Sequence, residues 1–164
     1  MDEIKRVMVA IGFSDYSEEI LSYAVKMTKV LNADLVVASV INSRDVEAVQ
    51  SISAMGYDVD GEHYVSGIRA EREQKLEAFV KKLNFPAEKV RLIIRVGNPI
   101  DELLKIAVKE KVDLIVMGIK GRTDLEYALV GSVAEKTFRR SPIAVLSYRD
   151  KKNADRLRKH INLS

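Results

Sequence analysis

The sequence predicts an α/β fold, a parallel sheet with helices on both faces. Three observations predict it. Short runs rich in apolar residues recur at residues 5–11, 35–41, 90–96, 114–117 and 143–147, and the first two, at 7–11 and 35–41, are almost wholly apolar, the composition of strands buried on two sides. Segments of helical periodicity alternate with these runs. Turn and capping residues stand at the junctions between them.

The first run carries Val7, Met8, Val9, Ala10 and Ile11. Gly12-Phe13-Ser14-Asp15 follows as a turn. Ser14 or Asp15 is placed to cap the next helix, and Asp15 with Glu18 has capping-box spacing. That helix extends to about residue 31, with Ile20, Leu21, Ala24, Thr28 and Leu31 on one face, and Asn32-Ala33-Asp34 ends it. Residues 35–41 form the second strand. Over residues 42–66, Val46, Val49, Ile52 and Met55 recur at helix-like spacing, but Gly56, Gly61 and Gly67 interrupt the segment. The expectation there is a short helix or an ordered insertion.

A long helix is expected over residues 66–83, with Ile68, Leu76, Phe79, Val80 and Leu83 inward and Asn84-Phe85-Pro86 as its stop. After the strand at 90–96, Gly97-Asn98-Pro99 opens the next helix. Asn98 is its N-cap, Pro99 takes the first helical position, and Asp101 and Glu102 occupy the first turn. This helix ends near residue 111. A strand at 114–117, a helix at 132–140 and a strand at 143–147, begun by Pro142, complete the alternation. Residues 1–149 therefore read as one domain. Residues 150–164 read as a polar extension, a terminal helix anchored by Leu157 and Ile161.

A chain of 164 residues can bury a real core, and 47% hydrophobic with 31% charged residues suits a globular protein. The absence of cysteine removes disulfides, thiolate nucleophiles and zinc-thiolate sites. No apolar stretch approaches the length of a membrane span or a signal peptide, so a cytoplasmic location is expected, without a membrane partner. The isoelectric point near 9.0 invites a nucleic-acid reading. Position argues against it. Residues 149–164 hold six Lys/Arg and two Asp/Glu, a net +4 against +3 for the whole chain, which leaves about −1 on residues 1–148. The basicity belongs to the tail.

The chemistry-bearing stretch is Val116-Met117-Gly118-Ile119-Lys120-Gly121, continuing to Gly131-Ser132-Val133-Ala134-Glu135. Its spacing is Gly-x2-Gly-x9-Gly-Ser, in a strand, loop, helix context. Glycine lets the backbone approach an anion and adopt positive φ. A helix start offers unpaired N–H groups and a positive dipole end. The combination suits phosphate, and Lys120 and Arg122 are placed to neutralise it. The loop is neither a Walker A loop nor Gly-x-Gly-x-x-Gly. No Gly-x-Ser-x-Gly elbow is present, and His63 and His160 stand outside any triad or metal-ligand pattern. Asp101-Glu102 reads as a helix start, since adjacent helical residues face different ways. No general base is poised for catalysis, and no carboxylate offers itself as a metal ligand.

Several stretches together carry a resemblance: Met8-Val9-Ala10-Ile11 followed by Ser14; Val36-Val37-Ala38-Ser39-Val40-Ile41; Gly97-Asn98-Pro99; Asp113-Leu114-Ile115-Val116-Met117-Gly118; and Gly131-Ser132 followed by Ser141-Pro142-Ile143-Ala144-Val145-Leu146. Along about residues 4–148 they resemble the universal stress protein family, and the glycine spacing resembles its ATP-binding branch. The resemblance implies an open five-stranded sheet of order 3-2-1-4-5, Rossmann-like and of the adenine nucleotide alpha hydrolase-like type. Ligands of such sheets bind at the switch point between strands one and four.

By position, Gly118, Gly121, Gly131 and Ser132 would hold the phosphates. Met117, Arg122, Thr123 and the amides of Val133 and Ala134 would lie alongside. Val40 would pack against adenine, and Ala10 and Gly12 would line the nucleoside end. The implied cofactor is ATP or AMP, with Mg as an accompanying ion. One departure stands out: ATP-binding members usually carry an aspartate where this chain has Gly12. The family also implies a homodimer through residues 143–147, where Ile143, Val145 and Leu146 form an apolar run. The function implied is a homodimeric stress-response regulator that binds ATP, ADP or AMP, with at most slow ATP hydrolysis. The alternative is an interaction protein that binds no nucleotide and keeps the loop for structure; Gly12 is the feature that favours it.

Overall fold

The computed structural model describes residues 3–13, 16–119 and 132–163. Five parallel strands form its sheet: β1 (Arg6–Ala10), β2 (Asp34–Asn42), β3 (Val90–Gly97), β4 (Leu114–Gly118) and β5 (Ala144–Tyr148). Their order is β3-β2-β1-β4-β5, as the family resemblance implies. The helices are α1 (Ser17–Leu31), α2 (Ser43–Ala54), α3 (Gly61–Lys82), α4 (Pro99–Lys109), α5 (Ser132–Arg140) and α6 (Lys151–Arg158). A 3-10 turn, Ala87–Lys89, precedes β3.

Alternation along the strands divides the core between two faces. Val7 and Val9 of β1, Leu35 and Val37 of β2, and Leu114 and Val116 of β4 face α1 and α3, meeting Leu21 and Ala24 of α1 and Leu76 and Val80 of α3. Met8, Val36, Ala38, Ile93 and Ile115 point the other way, against Leu103, Ile106 and Ala107 of α4. β1 is the centre of both layers, with Val7, Met8 and Val9 wholly buried. Each such side chain contributes about 1.5–3 kcal/mol of burial. At the N-terminal end of the sheet, Asp113 Oδ2 accepts the amides of Lys5 and Arg6 at 2.8 and 2.9 Å. This ties the approach to β4 against β1 at the end opposite the strand C-termini.

Local chemistry explains most boundaries. Asn98 caps α4 as expected: its Oδ1 accepts the amides of Ile100 and Asp101, at 3.1 and 3.3 Å, with Pro99 at the start. Glu102 pairs with Lys105 and Asp101 with Arg140, so the two acids serve as helix-surface charges. Residues 42–66 hold a full helix, α2, capped by Asn42 through the Arg44 amide. No residue of α2 is buried, and Ile52 and Met55 are exposed.

The long helix α3 begins earlier than residue 66, because Asp60 accepts the amides of Glu62 and His63. Gly61 does not break it. It allows α2 close, since a Cβ there would stand 3.1 Å from the Gln50 side chain. The expected caps Ser14 and Asp15 lie outside the described residues; α1 itself begins at Ser17, with Tyr16 at its N-cap position. α6 is also anchored differently from the expectation: Ile161 is exposed. Asn153 is buried instead, its amide bound by the N-cap Asp150 at 2.9 Å.

Candidate functional site

β1 is followed by connections toward β2 and β3, and β4 by those toward β5, so the chain leaves these neighbouring strands in opposite directions. The crevice beyond their C-terminal ends is where open α/β sheets hold ligands. Register places the expected residues around it. Ala10 pairs with Met117, which brings the ends of β1 and β4 side by side. Gly118 is the last residue of β4, and Gly12 follows two residues after β1. On the other flank Ala10 pairs with Ala38, so Val40 lies two residues further along β2, on the same face.

Three of these expected residues share a face. Ala10, Val40 and Val133 are all half-buried and pack against the α4 side of the core. Met117 is buried, and Gly12 and Gly118 are half-buried. Ser132 opens α5, so the helix start stands where the sequence puts it. Gly121, Arg122, Thr123 and Gly131 lie outside the described residues. The structure therefore brings together the nucleoside side of the expected site, Ala10, Gly12 and Val40, with Met117, Gly118 and the start of α5.

The opposite face of the same strand ends holds a polar arrangement that the sequence reading missed. Ser39 of β2 is wholly buried; its hydroxyl donates to the Ile11 carbonyl at 2.8 Å. The guanidinium of Arg72 in α3, 3% exposed, donates to the same hydroxyl at 2.7 Å. It also lies over the Phe13 ring, 5.8 Å from the centroid. Phe13 is left-handed, at φ 57. One signal in the sequence points to Arg72: it stands four residues before Leu76 and eight before Val80, on the inward stripe of α3.

Among the described residues no group of three or more His, Cys, Asp or Glu could hold a metal ion. No described helix is long and apolar enough to cross a membrane. What the described part of the crevice offers is apolar, half-exposed surface at Ala10, Val40 and Val133 beside glycine backbone at Gly12 and Gly118.

A model of the universal stress protein family matches residues 3–149. The chain is 32% identical to universal stress protein MJ0577 of Methanocaldococcus jannaschii over 151 residues, covering 87% of this chain and 93% of that one. The solved structure of the MJ0577 protein superposes with a TM-score of 0.71 at 27% identity, over 92% of this chain and 99% of that one. A universal stress protein solved in complex with cAMP shares the fold, with a TM-score of 0.61 at 22% identity over 90% of this chain and 98% of that one.

Proposed function

The chain belongs to the universal stress protein family, and from that premise we propose that it is a stress-response regulator that binds an adenine nucleotide, ATP or AMP. The supporting observation is the shared face of Ala10 of β1, Val40 of β2 and Val133 of α5, all half-buried against the α4 side of the core, next to the ends of β1 and β4, whose onward connections run in opposite directions. In this reading the base lies against Val40 and Ala10, with Gly12 beside the nucleoside. The phosphates lie along Gly118, Gly121, Gly131 and Ser132, with Met117, Arg122, Thr123 and Val133 alongside and Mg as an accompanying ion. Backbone amides and the α5 dipole supply most of the phosphate affinity. The nucleotide acts as a signal rather than a substrate, with hydrolysis at most slow. The family domain occupies residues 1–149, the protein works in the cytoplasm as a homodimer, and residues 150–164 extend it. One relative by fold, at 22% identity, was solved with cAMP, and that concerns that protein alone.

Gly12 favours a second reading, an interaction protein that binds no nucleotide. A carboxylate there would add a polar contact of about 1–3 kcal/mol, a tenfold to hundredfold change in affinity. Calorimetric titration and thermal shift with ATP, ADP and AMP separate the two. Ligand at a hundred times its Kd adds about 2.7 kcal/mol of stability. Gly131→Val is expected to abolish that gain by keeping phosphate off the backbone. A native protein unmoved by millimolar nucleotide would sink the nucleotide reading. Unchanged binding by Gly131→Val would move the phosphate site elsewhere.

A further inference from the structure

We infer that Arg72 is a positioning residue for the nucleoside end of the cleft, acting through Ser39 and Phe13 rather than on the ligand. This rests on the nucleotide reading above. An arginine 3% exposed in the middle of a helix face is costly to desolvate, and an apolar residue would fill the same space without that cost. Through the Ser39 hydroxyl Arg72 reaches the Ile11 carbonyl, and its guanidinium carbon lies over the Phe13 ring. Residues 11 and 13 flank Gly12, which has no side chain to hold its own place.

The local backbone needs such support. Phe13 is left-handed at φ 57, a conformation that a bulky residue keeps only when its surroundings impose it. The Ile11 amide is held by the Ala38 carbonyl at 3.0 Å, so β2 binds Ile11 through both its amide and its carbonyl. Ser39 uses its hydroxyl twice, as donor to Ile11 and as acceptor from Arg72. Rotation of that hydroxyl is therefore fixed from both sides. Arg72 works from the α1 and α3 side of the sheet, whereas Ala10 and Val40 pack on the α4 side. A ligand against Val40 would feel Arg72 only through the placement of residues 11–13. Arginine suits this role better than lysine, because one planar group both stacks and donates.

The test uses the full chain with Arg72→Met, Arg72→Lys and Ser39→Ala, and two readouts. The first is amide hydrogen exchange without ligand, comparing residues 6–13 with residues 110–119. The second is affinity for adenosine and AMP against inorganic tripolyphosphate, which probes the phosphate end alone. Arg72→Met and Ser39→Ala are expected to speed exchange in residues 6–13 about tenfold, leave 110–119 unchanged, and weaken adenosine and AMP about tenfold. Tripolyphosphate affinity stays the same, and Arg72→Lys recovers part of the loss. If Arg72→Met does not fold, Ser39→Ala carries the test, since it cuts the link and leaves the guanidinium in place. Exchange that is unchanged, or raised equally across the sheet, overturns the inference. So does equal weakening of adenosine and tripolyphosphate. A native protein that binds no nucleotide, yet shows the local exchange effect, keeps Arg72 as the residue that places the loop and removes the ligand assigned to it.

Discussion

Tyr148 shows how one side chain can make the edge of the sheet sensitive to alkali. Its ring lies 4.9 Å from that of Tyr23 in α1. Burial pushes the phenol pKa up, and the negative charges of Glu19 and Asp150 add to it. The folded state thus favours the neutral phenol more than the unfolded chain does, in which tyrosine titrates near 10.0. The stabilisation is complete below that pH and is lost as pH rises through the folded value. Lys105 beside Glu102 is shifted up as well and fades in the same direction. The expected result is therefore a difference: urea unfolding between pH 9 and 11 shows a steeper loss in the native protein than in Tyr148→Phe. Equal slopes would remove Tyr148 from the account. Arg72 marks the limit of sequence reading at this scale. An arginine in a charged helix looks solvated, and its burial depends on Ser39, which lies in another element.

Element boundaries were legible where their chemistry is local. Asn98 and Pro99 announce α4 because a cap acts on amides two and three residues away. Asn98→Ala is expected to cost about 1 kcal/mol and Asn98→Asp close to nothing, read as a lowered urea midpoint at constant slope. An unchanged midpoint for the alanine variant would show that packing of Ile100, Leu103 and Ile106 sets the helix start instead. Where boundaries depend on another element, the local signal misleads. Gly61 looks like a break but sits where Gln50 of α2 approaches, and the Asp60 cap outweighs its helix propensity. The extension shows the same effect. Asn153, a polar residue, is buried at the base of α6 while the apolar Ile161 is exposed.

Across the whole molecule, alternation of strands and helices announced the parallel sheet, and the family resemblance supplied its order. Neither reaches the quaternary state, which depends on a second chain. β5 lies at one end of the sheet, hydrogen-bonded to β4, and its outer backbone edge has no strand beside it among the described residues. Val145 and Leu146 are only half-buried there, Ala144 is exposed, and the strand carries no charged residue. An unprotected edge of this kind favours pairing with a second chain, and a two-fold axis pairs the two β5 edges with each other. We propose that two copies meet along β5. Sedimentation equilibrium is then expected to give twice the 18.4 kDa chain mass. Ala144→Lys places a charge on the exposed edge without entering the core, and dimer dissociation should rise at least tenfold while far-UV circular dichroism stays the same. A native protein that sediments as a single chain at every concentration would remove the β5 pairing. A dimer indifferent to Ala144→Lys would place the interface on another surface, with the exposed side of α2 at Ile52 and Met55 the next to examine.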